Sequence, residues 1–275
     1  MDIDIPTVSY VIAWIVVWIG FPFTLLAIYA LYSLVQEDHV APVYVINLLI
    51  SDLIQMFCFM TWAAVPKRRI VVYVSKCIHF IGVMASVGFM VCVSLERYLV
   101  IACPLWYRFR RTINLSVTVS ILTWAISFMD LLTRVLTFDS YPSRIFHSFL
   151  LLCPFPLLIF SFAETLRALS TAISVPPNEK RRIVGTLVLV LLNYTLLFLP
   201  WIIWLTRVSY SDITIYLEND SGLCLSFLQF SPLADLIMYV FMRKGAVDKL
   251  LACLCCCKMI EEQQGQITTE ELNSV

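Results

Sequence analysis

The sequence predicts an all-α membrane protein: a seven-transmembrane helix bundle with a short amphipathic helix after the last span. Three observations predict it. Of 275 residues, 60% are hydrophobic and only 14% are charged, which excludes an ordinary soluble domain of this length. Apolar stretches fall at roughly 8–35, 40–65, 70–102, 113–135, 145–172, 182–206 and 222–242, each long enough to cross about 30 Å of hydrocarbon at ~1.5 Å per residue. Basic residues gather between alternate stretches: Arg108, Arg110 and Arg111, then Lys180, Arg181 and Arg182, then Arg243, Lys244 and Lys249. By the excess of positive charge on cytoplasmic loops, those segments face the cytoplasm, with the N-terminus outside and the C-terminus inside. Lys67, Arg68 and Arg69 oppose this rule from the other side.

The first stretch follows Met1 to Thr7 with no basic n-region or small-residue cleavage site, so it reads as a retained helix. The second carries Asn47-Leu48-Leu49-Ile50-Ser51-Asp52, setting a carboxylate near the middle of the bilayer, where it must be paired or neutralised. The third ends in Glu96-Arg97-Tyr98. An arginine at a membrane boundary is costly and marks function, whereas in a soluble helix the same triplet is a surface ion pair. The fourth holds Trp124 and a mid-helix carboxylate, Asp130, with Arg134 four residues on as its expected partner. Pro154 falls in the fifth. In the sixth, Phe198-Leu199-Pro200-Trp201 removes a backbone hydrogen bond and predicts a hinge. The seventh reads Ser231-Pro232-Leu233-Ala234-Asp235-Leu236-Ile237-Met238-Tyr239.

Residues 1–257 form one domain including the juxtamembrane helix, and 258–275 form a polar cytoplasmic tail that is expected to be disordered. Cys253, Cys255, Cys256 and Cys257 follow the amphipathic stretch Arg243 to Leu251 and are palmitoylation candidates that would hold it to membrane lipid. The rival reading, a metal cluster, lacks a nearby histidine and zinc-site spacing. Asn219-Asp220-Ser221 makes Asn219 a glycosylation candidate close to the membrane.

Markers on all seven stretches, in order, resemble the rhodopsin-like (class A) G-protein-coupled receptors. The resemblance implies that Glu96, Arg97, Tyr98, Phe198, Pro200, Asp235 and Tyr239 form the activation switch. It also implies a polar network of Asp52, Ser86, Ser231 and Asp235, in which Asp52 holds an allosteric sodium ion. The bland reading of the same four residues is a polar network that locks helices together. The segment from Pro104 to Arg111 looks like that of Mas-related receptors, and the run from Val43 to Asp52 like that of proton-sensing and lysolipid-type receptors.

Departures from the pattern stand at Thr24 for asparagine, Phe162 for tyrosine, Leu236 for the seventh-helix proline, and Lys180 for an acid at the start of the sixth helix. The family's outer disulfide is not expected, and the loop from about Thr137 to Ser143 is short, which predicts an open, shallow pocket. Ligand-binding candidates are Trp62, His79, Asp130, Arg134, His147, Trp201, Trp204 and Gln229. For each alone, packing or interfacial anchoring is an equal reading. His79 is the candidate polar contact or pH-sensitive group.

The implied partners are an extracellular ligand, a heterotrimeric G protein and arrestin, at the plasma membrane, with no nucleic acid. Two other readings stand: a non-signalling scavenger or decoy receptor, given Phe162 and Leu236, and a transporter or channel using Asp52, Asp130 and Asp235 as a proton or cation path. No nucleophile–base or metal-ligand constellation points to an enzyme.

Overall fold

The computed structural model describes residues 5–36, 43–64, 68–103, 107, 113–137, 141–171, 176–210, 224 and 226–242. The juxtamembrane helix, its four cysteines, the tail, Asn219 and the basic positions from Arg108 to Arg111 lie outside the described residues.

All regular structure among the described residues is helical: α1 (Ile5–Gln36), α2 (Val43–Ala64), α3 (Arg69–Ala102), α4 (Ile113–Leu136), α5 (Tyr141–Leu152), α6 (Pro154–Thr171), α7 (Pro177–Asn193), a π-helical turn (Tyr194–Phe198), α8 (Leu199–Tyr210) and α9 (Ser231–Met242). Helices α5 and α6 make the fifth span, α7 to α8 the sixth, and α9 the seventh. Six spans meet the length and apolarity needed to cross a bilayer, and the seventh is a shorter apolar helix, Ser226–Met242.

Proline punctuates this chain. Pro154 opens α6 because it cannot continue the hydrogen-bond ladder of α5. Pro176 is extended, with φ −63° and ψ 148°, and Pro177 takes the first turn of α7, where its missing N–H costs nothing; Glu179 follows in that turn, where the helix dipole favours an acid.

The spans close into a ring. Helix α1 packs on α2 and α9, α2 and α3 both on α4, α4 on α5, α5 on α8, α6 on α7, and α7 on α9. Helix α3 runs through the middle, against α2, α4, α6 and α7. Accordingly 67% of the most apolar stretch of α3 is buried, against 17% for α4 at the rim. Close approach along α3 depends on glycine: a Cβ on Gly82 would stand 2.8 Å from Gln55 Cγ and 3.1 Å from the Ser51 carbonyl, and one on Gly88 2.5 Å from Thr123 Cγ2. Without a hydrophobic drive between helices in lipid, such small-residue contacts carry association. Outward faces present Trp18, Ile121, Leu122, Phe149 and Leu196, all exposed, as a lipid-facing surface requires.

Candidate functional site

Three side-chain groups lie along α3. At one end Phe80, a residue the sequence did not single out, is the hub of an aromatic and charged cluster. His79 beside it touches Trp62 at 5.0 Å and Phe59 at 5.1 Å between ring centroids. Phe80 itself meets His147 edge-on at 6.0 Å and Trp201 at 6.0 Å, and Trp201 stacks on Trp204 at 4.9 Å. The Arg134 guanidinium lies 4.5 Å above the Phe80 ring, a cation–π contact in a desolvated setting. Seven of the eight ligand-binding candidates therefore join through Phe80. Gln229, the eighth, is buried in the turn that leads into α9.

The acid of this cluster has the expected partner and a second, closer one. Asp130 receives His147 Nδ1 at 2.8 and 3.0 Å, on both carboxylate oxygens, whereas Arg134 Nε stands at 3.5 Å. The expected pair with Arg134 is present, and His147 is added to it. The i,i+4 spacing allowed Arg134 to reach, but the facing helix α5 delivers a nitrogen closer and in line. Both ring nitrogens of His79 are buried and make no hydrogen bond, as does Nε1 of Trp201. Helix α4 ends at Leu136 and α5 begins at Tyr141, so the connection at this end is as short as the sequence indicates.

Midway along α3 lies the polar network. Asp235 accepts from Ser86 Oγ at 3.1 Å and from Asn193 Nδ2 at 2.6 Å. Asp52, fully buried, sits against the Asp235 carboxylate and takes a 3.5 Å contact from Gln55 Nε2. Asp52 Oδ2 makes no hydrogen bond, and the Ser231 hydroxyl lies beside Asp235. All four network residues expected from the sequence are brought together, and Asn193 and Gln55 are added. Asn193 was legible only as a polar residue in the sixth apolar stretch, one turn before the proline motif. Thr24, which departs from the family's asparagine, is buried in α1 with its hydroxyl oxygen unbonded. Nearby, Trp124 Nε1 donates to Asn47 Oδ1 at 3.0 Å, joining α4 to α2 through two of the sequence markers.

The hinge of the sixth span takes a form the proline alone did not predict. The turn before Pro200 is a π-helix in which the Leu199 N–H bonds the Tyr194 carbonyl, five residues back. Pro200 has no N–H to donate and its ring crowds the carbonyl four residues earlier; a wider turn relieves that crowding. Within it Phe198 stacks on Tyr194 at 5.9 Å, Tyr194 on Phe155 at 5.5 Å, and the Tyr194 hydroxyl donates to the Leu151 carbonyl. The fifth and sixth spans are thereby joined just below Trp201.

At the far end of α3, Glu96 is buried and accepts a 2.7 Å hydrogen bond from Tyr107. Arg97 and Tyr98 are half-buried, and Tyr98 meets Phe160 edge-on at 5.8 Å. Lys180, where an acid was the family's pattern, donates to the Leu169 carbonyl at 3.1 Å and ties the sixth span to the fifth. Tyr239 packs with Ala27, Leu31, Val45, Leu49 and Val93, with Leu236 against the same cluster.

The model of the 7 transmembrane receptor (rhodopsin family) matches residues 23–239. The chain is 26% identical over 273 residues to G-protein coupled receptor 68 of Mus musculus, covering 86% of this chain and 73% of that protein. It is 24% identical over 270 residues to the Homo sapiens protein of the same name, at 86% and 73% coverage. With CX3C chemokine receptor 1 of Homo sapiens it shares 23% over 264 residues, covering 86% and 69%. Since the match runs from within α1 to Tyr239 and takes in every span, the chain belongs to the rhodopsin family of seven-transmembrane receptors, a multi-pass membrane protein of G-protein-coupled type.

Proposed function

We propose that this receptor sits in the plasma membrane with its N-terminus outside, takes its extracellular ligand against the Phe80 cluster, and activates a heterotrimeric G protein at the Arg97 end. The observation that carries the reading is that one buried helix, α3, holds all three groups in series: His79 and Phe80, then Ser86, then Glu96 and Arg97. The basic residues at positions 108–111, 180–182 and 243–249 support the orientation.

A ligand that pushes on Phe80 or Trp201 acts on α8 above the π turn. Because that turn and Pro200 weaken the ladder, the part of the sixth span beyond them can swing as a unit. Ligand binding then shifts a pre-existing equilibrium by no more than its difference in affinity for the two states. Asn193, Asp235 and Ser86 link the swing to the seventh span and to α3. At the far end, opening frees Arg97 for the G protein, and Tyr107 holds Glu96 through that change.

The oxygen set of Asp52, Ser86, Ser231 and Asp235 fits a sodium ion. Two carboxylates lie together, Asp52 Oδ2 lacks a hydrogen bond, and the Ser231 hydroxyl lies beside Asp235. Hard cations take such oxygens. A bound ion would supply positive charge between the two acids and hold the resting state. Arrestin would share the Arg97 end, and palmitoylated cysteines beyond α9 would fix that end to lipid.

The test is G-protein dissociation in cells bearing tagged receptor, across several G-protein families and over a range of pH. Basal activity that Arg97→Ala abolishes at equal surface expression is the expected result. Activity that survives Arg97→Ala would remove the switch from this reading, and silence of the wild type to every family would favour a decoy receptor.

A further inference from the structure

The fifth span contains two helix ends, and the sixth span meets both. Helix α5 ends at Leu152 and α6 at Thr171, and the last four carbonyls of a helix have no partner within it. The Tyr194 hydroxyl donates to the Leu151 carbonyl at the first end, and Lys180 Nζ, half-buried, donates to the Leu169 carbonyl at 3.1 Å at the second. Lys180 thereby also sets a cation at the negative end of the α6 dipole. The two spans break at one level as well: Pro154 divides the fifth, the π turn before Pro200 divides the sixth, and Tyr194 bridges the breaks, stacked on Phe155 at 5.5 Å. Helices α6 and α7 therefore share a hinge at one end and are fastened to each other at the other.

This pair is joined to α3 by a further contact. Ser94 of α3 and Ser161 of α6, 2% and 0% exposed, have their hydroxyl oxygens 2.5 Å apart. Ser161 donates its one hydrogen to the Leu158 carbonyl, so Ser94 is the donor between them. One turn on, Tyr98 meets Phe160 edge-on. Helix α3 packs along α6 but touches α7 at few points, so the inner half of the sixth span is held to α3 mainly through the fifth. A direct tie from Arg97 to an acid at the start of the sixth span is excluded, because Lys180 occupies that position.

We propose that α6 and α7 open as one body, and that the Ser94–Ser161 hydrogen bond is the latch that holds this body against α3 at rest. The inference rests on the reading of the Arg97 end as the end that opens. A hydroxyl pair suits a latch. Ser161 already bonds a carbonyl of its own helix, and Ser94 can turn to one of its own, so the bond breaks without stranding a buried polar group.

The experiment uses full-length receptor carrying Ser94→Cys and Ser161→Cys together, with each single variant as control. Hydroxyl oxygens this close put the two sulfurs within reach of a disulfide, which peptide mass spectrometry confirms. The oxidised pair is expected to lose basal G-protein activity by roughly tenfold or more relative to its reduced form, while the single variants ignore the oxidant. Adding Lys180→Met should restore activity to the oxidised pair, because the sixth span can then part from the fifth at its inner end. If the disulfide does not form, Ser161→Ala replaces it and should raise basal activity about two- to tenfold, the population shift that loss of one hydrogen bond supports. Hydrogen exchange over 90–102 and 158–170 in purified receptor needs no G protein, and it decides by itself if none responds. It should slow in the oxidised pair and quicken in Ser161→Ala. Oxidised activity equal to the reduced, silence that persists after Lys180→Met, or exchange that ignores the latch variants would each overturn the proposal. Arg97→Ala tests the signalling reading alone, so the two can fail separately.

Discussion

Asp130 and Asp52 are both buried carboxylates inside apolar spans, and they are treated oppositely. Asp130 is met by an imidazole at 2.8 Å and by a guanidinium at 3.5 Å, and its surroundings include Phe80, which also carries the guanidinium. Asp52 faces a second acid, Asp235, and keeps an oxygen without a hydrogen bond. The first site is complete and can act as fixed scaffold for a ligand. The second lacks a positive charge that a proton or a sodium ion would supply, which makes it responsive. Rigidity at the proposed ligand end and incompleteness midway along α3 is an arrangement that suits a two-state receptor.

Removing Asp130 gives the largest expected effect, because it takes away the acid that meets both His147 and Arg134 in a buried setting. Asp130→Ala should cost about 3–5 kcal/mol, read as a fall in the unfolding temperature of detergent-purified receptor. An unchanged midpoint would mean that the pair is not the scaffold described. Gly82 lies between the two sites on α3, where an added Cβ meets Gln55 Cγ at 2.8 Å and the Ser51 carbonyl at 3.1 Å. Gly82→Ala should cost about 1–3 kcal/mol in the same assay, and indifference would show that α2 and α3 can part without penalty.

Asp52→Asn should behave unlike Asp130→Ala. It removes one of two like charges, so stability should hold or rise by up to ~1 kcal/mol. Sodium should raise the unfolding temperature of the wild type and leave that of Asp52→Asn unchanged. If Asp52→Asn is as damaging as Asp130→Ala, the contrast between the sites fails. Glu96 is an intermediate case, with one oxygen taken by Tyr107 at 2.7 Å. Tyr107→Phe should cost only about 1 kcal/mol and lower basal G-protein activity, measured at equal surface expression, since Tyr107 no longer draws Glu96 from Arg97.

Much of this was legible in the chain. Seven apolar stretches of spanning length gave the span count and order, and α5 and α6 divide at Pro154, a marker of the fifth span. Asp52, Ser86, Ser231 and Asp235 were legible as a group through their family positions. Phe80 was not, because a phenylalanine in an apolar helix carries no signal against a background of phenylalanines. Asn193 gave only a weak one, and its role emerges when its amide is seen to bond Asp235 across 42 positions of sequence.

The sequence by itself determined that the chain crosses a membrane, how many times, and which polar groups must find partners there, since hydrocarbon satisfies none of them. Partner choice was decided only by the tertiary structure. Arg134 is four residues from Asp130 along the same helix, yet His147 on α5 lies closer. Pro200 required a break in the ladder, and only the structure shows that the break is a π turn that sets Tyr194 against Phe155 of the fifth span. Spacing along one helix fixes what can meet; the rotation and crossing of neighbouring helices, set by contacts such as Gly82 on α2, fix what does.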